Sequence, residues 1–247
     1  MAISYISGQR VRLKGWEIGP LLLCMSFGML GWHLLSAYGV MEMSAGRASI
    51  IAFTMPVWAT VLARIILGEP ITKLKLVSLT LGMSGLAVLI GPDLVHLKET
   101  PIGALLMLGA ALAWGTGTVL FKKFSWSTST TALAGWQLTF AGIPIAIGAV
   151  IFQLPPDWAA ISEKAYFSLA YVMAFPMIFC QWAYLRSVRT FPASVAAIST
   201  IGVPIIGTYS SAFILEEVVG LQEFGALVLV CMALATILVV PTLRRNV

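Results

Sequence analysis

AGRASIIAFTMPVWATVLARIILGE, residues Ala45–Glu69, occurs twice in this chain in altered form. Displaced by 148 positions, it meets ASVAAISTIGVPIIGTYSSAFILEE at Ala193–Glu217. Ala45, Ala48, Ile50, Pro56, Thr60, Ile66, Leu67 and Glu69 fall on Ala193, Ala196, Ile198, Pro204, Thr208, Ile214, Leu215 and Glu217. Matches of Leu and Ala between two apolar stretches carry little weight. Proline and glutamate are rare in such runs, and both copies set them thirteen residues apart. The register continues through Leu79, Leu81, Leu86 and Ala87, which meet Leu227, Leu229, Leu234 and Ala235. A duplicated unit is the reading, and it frames everything else in the chain.

Outward from that stretch the chain is apolar almost throughout. Of its 247 residues 59% are hydrophobic and 10% charged, against roughly 25% charged in a soluble domain. Runs near 20 residues recur, the length that crosses a hydrocarbon layer of ~30 Å as helix. They do not alternate as the strands of a membrane barrel would. The class is an all-α polytopic membrane protein. Eight spans are expected, near 17–40, 45–67, 74–90, 102–121, 131–152, 165–185, 193–215 and 221–240. Prolines inside them (Pro56, Pro144, Pro176, Pro204) are tolerated where neighbouring groups take up the freed carbonyls. Met1–Gly15 has no apolar core of a cleavable signal. The cysteines Cys24, Cys180 and Cys231 all lie inside apolar runs and read as small packing residues.

Short cytoplasmic loops are enriched in Lys and Arg. With the N-terminus inside, twelve basic residues fall on the cytoplasmic side (Arg10, Arg12, Lys14, Arg64, Lys73, Lys75, Lys122, Lys123, Arg186, Arg189, Arg244, Arg245) and three outside (Arg47, Lys98, Lys164). Eight of the ten acids go outside. Both termini are therefore expected to be cytoplasmic, and the net charge of +5 is a topology signal rather than a nucleic-acid surface. The second and seventh spans then cross the membrane in opposite senses. Inverted repeats of this kind are the usual build of secondary transporters, with a solute site near the midplane.

The pattern Ala-x-x-Ala … Pro … Leu-Gly-Glu at Ala45–Glu69, its echo ending Leu215-Glu216-Glu217, and GALLMLGAALAWGTGTVLFKK at Gly103–Lys123 resemble the EamA-like drug/metabolite transporter superfamily. The resemblance covers essentially the whole chain and implies an inverted-repeat transporter fold of ten helices with cytoplasmic termini. Eight are present here, so the first two family helices are missing. The implied division is a cytoplasmic segment 1–16, an incomplete first repeat 17–91, a linker 92–101 and a second repeat 102–243. Late start assignment or a truncated gene would explain the missing pair.

No HExxH, phosphate loop or Walker lysine is present, so no enzyme site, cofactor or metal is expected. Gly115-Thr116-Gly117 suits close helix packing instead. What remains are polar and aromatic side chains at membrane depth. His33, beside Trp32, is an ionisable residue inside a span, which is costly and points to function; a neutral imidazole bonded to a neighbouring helix is the plain alternative. Gln181 falls opposite His33 under the same displacement, so both could face one cavity. Thr54 and Trp58 bracket Pro56, and Ser199 precedes Pro204, where each proline (the helix-break positions) frees a carbonyl. Trp114, Trp136, Trp182 and Tyr209 are candidate aromatic walls. Arg64 and Glu69 read either as a gate pair or, for Arg64, as an interfacial anchor.

The function expected is transport, most simply export, of a small organic metabolite such as an amino acid by alternating access across the inner membrane. The partners are a small-molecule solute and the bilayer, with no nucleic acid; homo-oligomers stay open. A non-transporting remnant or assembly subunit is the alternative.

Overall fold

A computed structural model describes residues 11–43, 48, 51–90, 101–152, 162–215 and 221–239. Residues 92–100 of the inter-repeat linker, Arg47 and Glu217 lie outside the described residues. Among the described residues eight helical segments follow one another: α1 Gly15–Met41, α2 Met55–Leu67, α3 Lys73–Ile90, α4 Pro101–Lys123, α5 Thr130–Phe152, α6 Glu163–Thr190, α7 in two pieces (Ala193–Ser199 and Gly202–Leu215), and α8 Leu221–Leu234. Helices α1, α4, α5 and α6 are each long and apolar enough to cross a membrane unbroken.

The second and seventh spans are both interrupted. The chain turns at Phe53–Thr54 ahead of Pro56 and at Thr200–Ile201 ahead of Pro204. A threonine hydroxyl stabilises each turn, Thr54 donating to the Ile51 carbonyl and Thr200 to that of Ala197, both at 2.7 Å. Proline cannot supply the amide that would have bonded the carbonyl four residues earlier; in the seventh span the Thr200 carbonyl takes the Val203 amide at 3.0 Å instead.

A second pair of irregularities obeys the same displacement. Helix α1 winds as a π-helix over Ser26–Gly31, and α6 does so over Met173–Cys180. Moved by 148, the first segment lands inside the second. Such wide turns in α-helices are frequent at functional sites.

The ends of the helices fix their relative sense. Glu69, just past α2, lies against Ala193, the first residue of α7, so the two related spans run antiparallel. The chain is thus an inverted-repeat transporter fold. One end of the bundle gathers Lys14, Lys75, Lys122 and Arg189, linked through Glu17, Glu69, Ser127 and Ala193; we call it the basic end. At the opposite end α1 meets α4, where a Cβ on Gly103 would come within 2.9 Å of the Glu42 Cβ.

Small residues let the helices approach, the usual device where lipid removes the hydrophobic drive between spans. A Cβ on Gly117 of α4 would strike the backbone of Gly28 in the α1 π segment, and one on Gly115 would sit 3.0 Å from the Ala59 nitrogen of α2. Helices α3 and α8 pair through Gly82 and Gly85, and Ser78 donates to the Ala233 carbonyl at 2.7 Å. The outward faces of α5 and α6 are apolar and uncovered (Ile147, Phe167, Tyr171, Phe175), as a lipid-facing surface is.

Candidate functional site

Three places in the bundle hold polar groups that packing alone does not require. The first is a small cavity of about 20 Å³ between α1, α4, α5 and α6, room for a single water. Gln181 of α6 donates to the Gln137 side-chain oxygen of α5 across it at 3.2 Å. The hydroxyls of Thr118 and Tyr184 are 2.9 Å apart, and Trp114 lies on Tyr184 with ring centroids at 4.7 Å. Cys24 and the Gly28–Gly117 contact complete the wall. At 1.5 Å per residue, Gln137 is about 10 Å in from the start of α5, so the cavity is in the basic half of the bundle. Its wall carries no carboxylate and no cation.

The second is a groove of about 480 Å³ in the opposite half, between α1, the start of the second span and α4. Trp32, His33, Ser36, Ala48, Phe53 and Met107 line it. His33 and Gln181 are therefore not brought to one cavity, contrary to the symmetry expectation. The His33 Nδ1 is 2.7 Å from the Met29 carbonyl of its own helix, within the π turn. Gln181 instead reaches α5.

The third is a carboxylate at the basic end. Gly68 closes α2 in a left-handed conformation (φ 70°), which its lack of a Cβ permits. The Gly68 and Glu69 amides then both turn back to the Ala63 carbonyl, Glu69 at 3.2 Å, which holds residue 69 in place. Its side chain accepts from the Ala193 amide at 2.8 Å, from the Ser194 hydroxyl, and from Lys75 Nζ at 3.1 Å. Burial pushes the carboxyl up, but the Ser194, Lys75 and Ala193 donors outweigh it and hold it below the ordinary range. Arg64 does not pair with Glu69. It donates to the Gly68 carbonyl at 3.5 Å, at the negative end of α2. Of the two readings of Arg64, the gate pair is not formed, because the turn at Gly68 sends Glu69 towards α7.

The remaining candidates divide plainly. Trp58 donates to the Thr54 hydroxyl at 3.2 Å and Ser199 to the Val195 carbonyl at 2.9 Å, both within their own span. Trp182 lines a separate polar depression with Arg186 and Arg189 at the basic end. Tyr209 packs on the α7–α8 core, its hydroxyl buried without a hydrogen-bond partner among the described residues. Gln137, Thr118, Tyr184 and Cys24 were missed by sequence reasoning, and so was Lys75 as the partner of Glu69.

The model of the EamA-like transporter family matches residues 1–91 and 101–239. The chain belongs to the EamA-like transporter family. Its EamA-like relatives are named as transporters rather than enzymes. A Bacillus subtilis protein named uncharacterized transporter YoaV is 26% identical over 92% of this chain and 76% of its own length. Another, uncharacterized transporter YvbV from the same organism, is 29% identical over 90% of this chain and 72% of its own. A protein of Escherichia coli named probable amino-acid metabolite efflux pump is 28% identical over 76% of this chain and 65% of its own. One solved crystal structure has the same fold, with a TM-score of 0.83 over 96% of this chain and 82% of that one at 16% identity. An EamA-like fold thus places both cavities between its helices.

Proposed function

We propose that this EamA-like protein exports a small organic metabolite, such as an amino acid, by alternating access in the inner membrane. The observation that carries this reading is the pair of unequal cavities: a wide groove at one end and a far smaller, narrower cavity holding paired polar groups towards the other. Two solvent paths, never open together, are what alternating access requires, and inverted repeats supply two states of similar energy. The basic end is taken as cytoplasmic, because short cytoplasmic loops hold the excess of Lys and Arg. The conformation is then open outward and closed inward. The two repeats are taken as 17–91 and 102–243, joined by 92–101.

In the smaller cavity the Gln137–Gln181 pair and the Tyr184–Thr118 pair are uncharged hydrogen-bonding groups beside Trp114. Such a wall suits the neutral part of a solute, with the amides exchanging their mutual bond for bonds to it. An ionised group would pay a desolvation cost with no counter-charge to offset it. The Escherichia coli relative's printed name supports an amino-acid metabolite as the class.

The test is efflux from a sensitised host across a panel of amino acids and related metabolites, with Gln137→Leu and Gln181→Leu beside the wild type. Export of at least one solute, reduced about tenfold or more by either substitution at equal membrane abundance, is expected; an unpaired buried amide costs that much or more. Export unaffected by both changes would overturn the cavity assignment. No export of any solute would favour the assembly-subunit reading.

A further inference from the structure

Three helices close the basic end around residues with no exposed surface. Ala63 of α2, Val119 of α4 and Ala193 of α7 are each 0% exposed and form one cluster. Ala63 and Ala193 belong to opposite repeats, so the seal is also a junction between repeats. Directly beside it, the first amides of α7 need acceptors, because the first turn of a helix has no internal partner for them. The preceding residue is Pro192, whose side chain has no oxygen to serve as a cap. The acceptor comes from the other repeat: the Glu69 carboxylate takes the Ala193 amide and the Ser194 hydroxyl. Lys75, at the start of α3, binds the same carboxylate. One side chain therefore ties the end of α2, the start of α3 and the start of α7.

We propose that Glu69 is the latch of the inner gate, a positioning residue that holds α7 against α2 and α4 while the basic end is closed. Movement of α7 away from α2 breaks its bonds to Ala193 and Ser194, leaving Lys75 as the carboxylate's partner within the first repeat. The latch thus sets how often the inner path opens. Charge-assisted hydrogen bonds such as these are among the strong ones, and Gly68 fixes where the carboxylate points. This inference rests on the alternating-access reading and adds the residue that governs one of its two states.

The test uses Val119→Cys as a reporter in a chain whose Cys24, Cys180 and Cys231 are alanine. A membrane-impermeant maleimide is applied separately to each face of oriented vesicles. Adding Glu69→Gln is expected to raise labelling from the basic-end face about tenfold or more, the size of losing one charge-assisted bond, with labelling from the other face unchanged. Ser194→Ala, which removes one bond and keeps the carboxylate, should give a smaller rise on the same face. Unchanged labelling in both variants overturns the latch. An equal rise from both faces also overturns it, because general loosening of the fold would produce that. The readout needs no solute, so its failure is separable from failure of the cavity assignment, which efflux by the Gln137 and Gln181 variants decides.

Discussion

Glu17 offers the sharpest test of how the basic end is built. Its side chain has no exposed surface and accepts five hydrogen bonds. Oε1 takes the Ser127 amide (2.7 Å) and hydroxyl (3.2 Å) and the Thr128 amide (3.0 Å). Oε2 takes the Thr128 hydroxyl (2.7 Å) and the Lys14 amide (3.0 Å). In Glu17→Ala, Lys14 and Ser127 can turn to water because they are not fully buried, whereas Thr128 is 0% exposed. Two buried donors of Thr128 are then left, at about 1–3 kcal/mol each, so a loss of about 3 kcal/mol is expected. Glu17→Gln keeps one carbonyl acceptor but turns an amide N–H₂ towards the Lys14 amide, and about 1.5 kcal/mol is expected for the lost charge assistance. At roughly 2–4 °C per kcal/mol for a chain of this size, Glu17→Ala should melt about 6–12 °C lower in mild detergent, followed by tryptophan fluorescence. Glu17→Gln should fall between it and the wild type. A Glu17→Ala melting point within about 1 °C of wild type would refute this view of the carboxylate as the organiser of the 124–129 loop.

Three further outcomes follow from the same geometry. Gly117→Ala forces a methyl onto the Gly28 backbone and should cost about 1–3 kcal/mol as overpacking, read as a lower melting point together with reduced efflux. In the amide pair, Gln137→Leu alone strands Gln181, so the double Gln137→Leu/Gln181→Leu variant should melt less far below wild type than the two single losses summed; strict additivity would show that the pair is not coupled. Glu69 has its folded-state pKa below the ordinary 4.5, so it contributes stability above pH 4.5 that is lost as pH falls through the lower folded value. The gap in melting point between wild type and Glu69→Gln should therefore be full at pH 6–7 and shrink below about pH 4.5; a gap that widened on acidification would reverse the assigned sign.

Much of the architecture could be read from the chain because the repeat is written in rare residues. Pro56 and Pro204 mark the two broken spans, and Leu67-Gly68 gives the turn that ends α2. The span limits were legible to within a few residues, since each run ends at charged or turn-forming residues such as Lys122-Lys123. The π segments carry no comparable signal: under the displacement Phe27 meets Phe175 and Met29 meets Met177, but matches of apolar residues between apolar spans say nothing of a wide turn. Gln137 escaped for a different reason. Symmetry between repeats pointed to His33 and Gln181, but residue 137 has no partner 148 positions earlier, so nothing singled it out. Glu17 and Glu69 look in sequence like ordinary acids at a membrane surface. Their burial depends on donors more than a hundred residues away (Thr128 and Ala193), which no local pattern encodes.

Lys73 and Leu221 are repeat equivalents, one displacement of 148 apart, at the starts of α3 and α8. Each can be replaced by cysteine in a cysteine-free chain and treated with an impermeant maleimide from either face of oriented vesicles. Labelling of Lys73→Cys from one face and of Leu221→Cys from the other is expected, because the two units that carry them lie upside down to one another. Labelling of both from the same face would contradict the inverted repeat and, with it, the alternating-access reading.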